Sequence, residues 1–191
     1  MNCLAVDTTN SKLTVVLIKD DETFYREIEV GKSGHSGLLM PTVDQTLAEG
    51  GVNVESVDAV CAVVGPGSFT GIRIGVAAMT ALAYATGAKR VSVTSFELIA
   101  YNRQNAVAAV DAGHGNAYVA ECKDGEILSA SFVAADDKDG VPDGAKYSAD
   151  CEAWQALAGV VRKKIARGEF VSVLAPYYMR KSQAEREKDE I

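Results

Sequence analysis

The residues best suited to chemistry are two aspartates and a glycine-rich run. Asp7 ends the apolar stretch NCLAVD (2–7) and is followed by Thr8 and Thr9. Asp111 ends a second such stretch, AVD at 109–111. Between them lies GPGSFTGIRIG, Gly65 to Gly75, entered from the apolar run DAVCAVV (58–64) and followed by VAAMTALAYAT (76–86). A glycine-rich turn between a strand and a helix can cradle phosphate. Glycine permits positive φ and close backbone approach, and the open N–H groups of a helix start attract an anion. Gly65 and Gly67 could supply that freedom. Ser68 or Thr70 could cap the helix that Gly71 opens, and Arg73 would add charge in its first turn. Asp7 and Asp111, each at the end of an apolar run, are carboxylates of the kind that could bind a metal–phosphate.

Two familiar phosphate templates fail. A P-loop needs G-x-x-x-x-G-K-[ST], and no lysine lies between Gly65 and Gly87. The dinucleotide fingerprint needs a third glycine where Thr70 stands and an acidic residue about 20 positions on, yet residues 72–96 contain none. On composition alone, a phosphate site and a ligand-free tight turn are both open. The four cysteines, Cys3, Cys61, Cys122 and Cys151, form no C-x-x-C pair and read as reduced, buried, small hydrophobes.

The elements that must position these residues follow from periodicity. Residues 2–7, 11–18 and 23–30 read as strands joined by short turns, which favour antiparallel neighbours. A helix is expected over 35–49, with Leu39, Met40, Val43 and Leu47 at helical spacing, a kink or start at Pro41, and Gly50-Gly51 as its stop. Then come a strand at 58–64, a helix at 71–86, a strand at 90–94 and a short helix capped by Ser95. The opening plan then repeats. AVDTTNSKLTVVLIKDDE (5–22) and AVDAGHGNAYVAECKDGE (109–126) share Ala, Val, Asp, Val, Lys, Asp and Glu in register, and Asp124-Gly125 signals a hairpin into EILSASFV (126–133). Two lobes of shared plan are therefore expected, over 1–104 and 105–191. The second is the smaller: a polar loop (134–150), a helix (150–168), a strand-like FVSVLA, PYYMR (176–180) and a charged, frayed or helical tail (181–191).

The helix after the glycine loop is apolar almost all round, with only Thr80 polar from Ile74 to Ala85 if the Tyr84 hydroxyl is set aside. Such a helix needs cover on both faces. The small residues Gly75, Ala77, Ala78 and Ala81 would admit a partner helix, from a second copy or a related protein, unless the helix at 35–49 supplies the cover. The chain carries 26 acidic against 19 basic residues, a net −7, which disfavours nucleic acid as a sole partner. Residues 1–7 lack the basic head of a signal peptide, and no run approaches the roughly 18 apolar residues of a membrane span. A cytoplasmic protein with no membrane partner is expected.

Asp7-Thr8-Thr9, GPGSFTGIRIG, the apolar helix and PYYMR, in that order, closely resemble the TsaB (YeaZ) family, across nearly the whole chain. The resemblance implies a two-lobed α/β fold of the actin, Hsp70 and sugar-kinase type (ribonuclease H-like) with a reduced second lobe. It implies a non-catalytic scaffold or activator in the complex that adds threonylcarbamoyl to the adenosine beside the anticodon of tRNA. The implied partners are a homologous catalytic subunit, TsaD, and a TsaE-type ATPase, with a homodimer when alone and tRNA engaged only indirectly. The implied contact uses both helices: Leu39, Met40, Val43 and Leu47 with Ile74, Gly75, Ala78, Ala81 and Leu82. Asp7, Thr8, Thr9, Gly65, Gly67, Ser68, Thr70, Gly71 and Asp111 would be a vestigial phosphate site. No cofactor is implied in the chain itself, with ATP or ADP held, if anywhere, at the partner interface. The sister subunit holds iron or zinc through a helical H-x-x-x-H; here His35 is followed four residues on by Leu39, and His114 stands alone, so no metal site is expected. Ser36 beside His35 is no catalytic set, which disfavours the peptidase role once attached to the family. A weak nucleotide-binding, kinase-like protein is the runner-up.

Overall fold

Two antiparallel meanders recur, as the repeat anticipates, but they are finished differently. The computed structural model describes residues 1–31, 34–137 and 140–179. The charged tail at 181–191 and Arg180 of the PYYMR run lie outside the described residues.

β1 (Asn2–Asp7), β2 (Lys12–Lys19) and β3 (Glu22–Glu29) form the first meander, and β4 (Ala59–Val63) and β5 (Lys89–Val93) extend it in parallel on the far side of β1. The order is β3-β2-β1-β4-β5. Alternate residues of a strand point to opposite faces, and here both faces are covered. That is why β1, β2 and β4 read as unbroken apolar runs. On one face, Leu4, Val6, Leu13, Val15 and Leu17 pack under α1 (Gly34–Glu49) and α2 (Phe69–Thr86). On the other, Cys3, Ala5, Val16, Cys61 and Val91 pack under Leu157, Val160 and Val161 of α4 (Ala153–Ala166).

The second sheet has only β6 (Asn105–Gly113), β7 (Asn116–Lys123) and β8 (Glu126–Val133), in that order. Its inner face lies on Phe96, Ile99 and Ala100, in and just after the short α3 (Ser95–Ile99). Its outer face is covered by Val141 and Ala145 of a loop, which pack with Ala109, Ala117, Val119 and Val133. A trace of the missing fourth strand survives. Lys146 N donates to Val107 O (2.8 Å) and Ala109 N to Lys146 O (2.7 Å), a parallel bridge where β4 would stand beside β1.

Several expectations are corrected. The helix expected inside 150–168 does not cover the second sheet. It packs on the second face of the first sheet, beside Leu98 and Tyr101, so this part of 105–191 contributes to the core of the first sheet. α1 runs unbroken through Pro41, and the Thr42 hydroxyl donates to Leu38 O (2.7 Å) beside the N–H that proline removes. α2 begins at Phe69 rather than Gly71. Ser95 is not the cap of α3: Thr94 is, in a reciprocal capping box with Glu97. FVSVLA makes only one bridge, Val171 to Arg90, at the β5 edge. Finally, α2 is long and apolar enough to span a membrane by length and composition, with a mean hydropathy of 1.2, contrary to expectation. Its buried stripe docks on the sheet through Ile72, Val76, Met79 and Ala83.

Candidate functional site

The glycine loop is occupied by the chain's own backbone. Gly65 and Gly67 adopt φ of +112° and +155°, which L side chains rarely tolerate, around a cis Gly65–Pro66 bond. A Cβ at Gly67 would collide with the Thr9 carbonyl, one at Gly71 with the Thr8 carbonyl, and one at Gly75 with the Thr8 hydroxyl. The close approach that glycine allows is thus used by the Thr8-Thr9 turn. Hydrogen bonds lock the contact: Ser68 N to Thr9 O (2.7 Å), Thr8 Oγ1 to Gly71 O (2.7 Å) and Ser95 Oγ to Pro66 O (2.7 Å). Ser68 is the cap of α2, its Oγ accepting from Gly71 N at 3.2 Å; Thr70 points to solvent and plays no such part.

Asp7 ends β1 at the floor of a cleft between the two sheets. It is 4% exposed, and its Oδ1 accepts from Thr9 N (2.8 Å) and Thr9 Oγ1 (2.7 Å). Burial pushes its carboxyl above the ordinary aspartate range, opposed by the bonds from Thr9 and by the nearby His35. The cleft, about 870 Å³, brings Asp7, Thr9, Gly67, Ser68 and Ser95 together with Asp111 from the second sheet. Asp111 is exposed, accepting from Gly113 N at 2.7 Å. The opposite wall is the segment that follows Lys146, with Tyr147, Ser148 and Glu152. Sequence reading missed these. The signal was the broken repeat itself: the residues after the fourth-strand position of each lobe face one another across the cleft.

His35 is not the surface residue that its position suggests. It is half-buried near Asp7, and its Nε2 is buried without a partner. His114 lies in the β6–β7 turn, exposed, at φ +56°. Among the described residues no group of three His, Cys, Asp or Glu could hold a metal ion. The cysteines are free. Burial pushes Cys3 up to about 12 and Cys122 to about 11, which keeps both protonated and unreactive at neutral pH.

The second feature is the outer face of α2. Ala77, Ala81, Tyr84 and Ala85 are exposed, and Ile74, Ala78 and Leu82 are half-buried. α1 touches α2 but leaves this stripe open. Of the residues expected on a partner face, Leu39, Val43 and Leu47 are instead 2%, 1% and 5% exposed and belong to the core of the first sheet, and Gly75 faces Thr8. Met40, on the outer side of α1, is 41% exposed. The PYYM run crosses the start of α2. Tyr177 N donates to Val64 O (2.8 Å), and Tyr178 stacks on Phe69 with ring centroids 5.1 Å apart.

The comparisons agree with this architecture. Residues 29–145 match the family model described as TsaD, tRNA N6-adenosine threonylcarbamoyltransferase. The chain is 28% identical over 127 residues to the tRNA threonylcarbamoyladenosine biosynthesis protein TsaB of Haemophilus influenzae, covering 63% of this chain and 53% of that one. It is 33% identical over 102 residues to TsaB of Bacillus subtilis, covering 53% and 44%. The aligned part thus spans about half the length of these curated relatives. YeaZ from Pseudomonas aeruginosa superposes with a TM-score of 0.77 at 23% identity, covering 93% of this chain and 99% of that one. The family model, matched over more than half of the chain, places it in the TsaD-related family, with TsaB proteins among its curated relatives.

Proposed function

We propose that this chain is a non-catalytic subunit of the machinery that makes threonylcarbamoyladenosine in tRNA, and that it acts by pairing with a TsaD-type catalytic subunit. The observation that carries the reading is the exposed apolar stripe of α2, Ala77, Ala81, Tyr84 and Ala85, on a helix whose other side is already seated on the sheet. Small residues let a second helix approach closely, and large exposed apolar surface favours a partner. The glycine loop supports the same reading from the other side: Gly67, Gly71 and Gly75 pack against Thr8 and Thr9, and the Ser68 N–H is taken by Thr9 O, so these residues serve to build the start of α2. In this account the chain pairs with a second copy when alone, works in the cytoplasm beside a TsaE-type ATPase, and meets tRNA only through the assembly. Any ATP or ADP sits at the partner interface.

The test is a reconstituted modification assay, with tRNA, the threonylcarbamoyl donor and the organism's own TsaD-type and TsaE-type proteins. Modification should require this chain, and Ala81→Glu should abolish the requirement's rescue. Full modification without the chain would contradict the proposal. One observation favours the runner-up, a nucleotide-binding kinase-like protein: the cleft of about 870 Å³ lined by both Asp7 and Asp111. Saturable heat on titrating Mg-ATP into the chain alone would support that alternative.

A further inference from the structure

Arg73 lies on the exposed stripe of α2, one helical turn from both Phe69 and Ala77 and two turns from Ala81. Its guanidinium is held by two aromatic side chains. The carbon centre sits 3.9 Å from the Phe69 ring centroid and 5.8 Å from that of Tyr178, and Nε donates to the Tyr178 hydroxyl at 2.8 Å. No carboxylate pairs with it among the described residues. The two terminal amino groups are thus pre-oriented as a fork, the geometry that binds a carboxylate through two parallel hydrogen bonds.

This placement constrains what can cover α2. A chain laid over Ala77 and Ala81 also covers Arg73 at the end of the same stripe. Burying an unpaired cation is costly unless the partner brings an opposite charge. In a pairing of α2 on α2 the facing helix offers none, because residues 72–96 contain no aspartate or glutamate; the exposed acid Asp44 belongs to α1 and not to that helix. We infer that Arg73 is the charged anchor of the α2 face, that it is built to receive a carboxylate from a different protein, and that it biases α2 toward that partner over self-pairing. The inference rests on the partner reading above and adds to it the chemistry that selects the partner.

The experiment measures two equilibria by light scattering and calorimetry, using the full chain alone and mixed with the organism's own TsaD-type protein. Arg73 is exposed, so Arg73→Leu and Arg73→Lys should fold, and a matching thermal transition checks this. Arg73→Leu should weaken the mixed species roughly tenfold or more, the loss expected of a truncated anchor, while strengthening self-association. Arg73→Lys should keep the charge but recover only part of the mixed affinity, since it lacks the fork. A mixed affinity unchanged within twofold in Arg73→Leu overturns the inference, as does equal weakening of both equilibria. If Ala81→Glu abolishes the mixed species while Arg73→Leu leaves it intact, the partner reading stands and this inference alone fails. No mixed species with the unaltered chain overturns both.

Discussion

The first sheet has helices on both faces and Leu4, Leu13 and Leu17 at zero exposure beneath them. The second has a five-residue helix on one side and a loop on the other, and its outer cluster is made of Ala109, Ala117, Val119 and Val133. The two meanders descend from one plan, visible in the shared AVD strand ends, yet only the first has been completed. Its fourth strand leads to the glycine loop and a helix of 18 residues; the fourth-strand position of the second holds one bridged residue, Lys146. The contrast bears on mechanism. A cleft that grips a ligand by closing two lobes needs two firm walls, and here one wall is a loop segment around Tyr147 and Ser148. The firm part of the molecule instead presents a helix face outward. The proposed docking role rests on that outward helix face.

The comparison can be broken by mutation. The largest effect is expected at Gly71→Val, where a side chain must displace the Thr8 carbonyl. The loss should exceed about 3 kcal/mol, as overpacking combines with backbone shift. Ser148→Ala, on the opposing wall, should change stability by less than about 0.5 kcal/mol. Both are read by denaturant unfolding, and similar losses at the two sites would remove the asymmetry. Next in size, Leu17→Ala should cost about 2–5 kcal/mol, and Val119→Ala in the second sheet distinctly less, because a site lined by alanines and loop can collapse. Without mutation, hydrogen exchange should show β8 amides opening well before those of β1 and β4.

The smallest effect concerns Asp7. Its folded-state value is raised above the unfolded one by burial, so the folded state binds the proton more tightly. The stabilisation is therefore full below the ordinary aspartate range and is lost as pH rises through Asp7's raised value. Asp7→Asn keeps an oxygen that can accept from Thr9. It should flatten this part of the pH profile and be relatively more stable at neutral pH. A profile unchanged by the substitution would show that Asp7 carries no such penalty.

Much of the fold was legible in the residues. Apolar runs and short charged turns located the strands, and the repeat of AVD with its following hairpin revealed two related sheets. The helices were found to within a few residues, since Ser68, Gly50 and Gly87 are local signals that act where they stand. The destination of α4 was not legible: an amphipathic helix shows that it has an apolar face, not which of two sheets receives it. The same limit misplaced Leu39, Val43 and Leu47. Helical spacing groups residues on one face but does not say whether that face meets the molecule's own core or a partner, and here it meets the core. At the glycine loop the residue types left two uses open. Only the positions of Thr8 and Thr9 distinguish them, through contacts between segments about 60 residues apart.

The central claim is that the outer face of α2 is a docking surface for a TsaD-type subunit. The most direct test is light scattering on a size-exclusion column, with the chain alone and then mixed with the organism's own TsaD-type protein. The account predicts a new one-to-one species, absent when Ala81 is changed to Glu, with the variant's own fold intact. A chain that elutes unchanged in the mixture, with or without nucleotide, would contradict it.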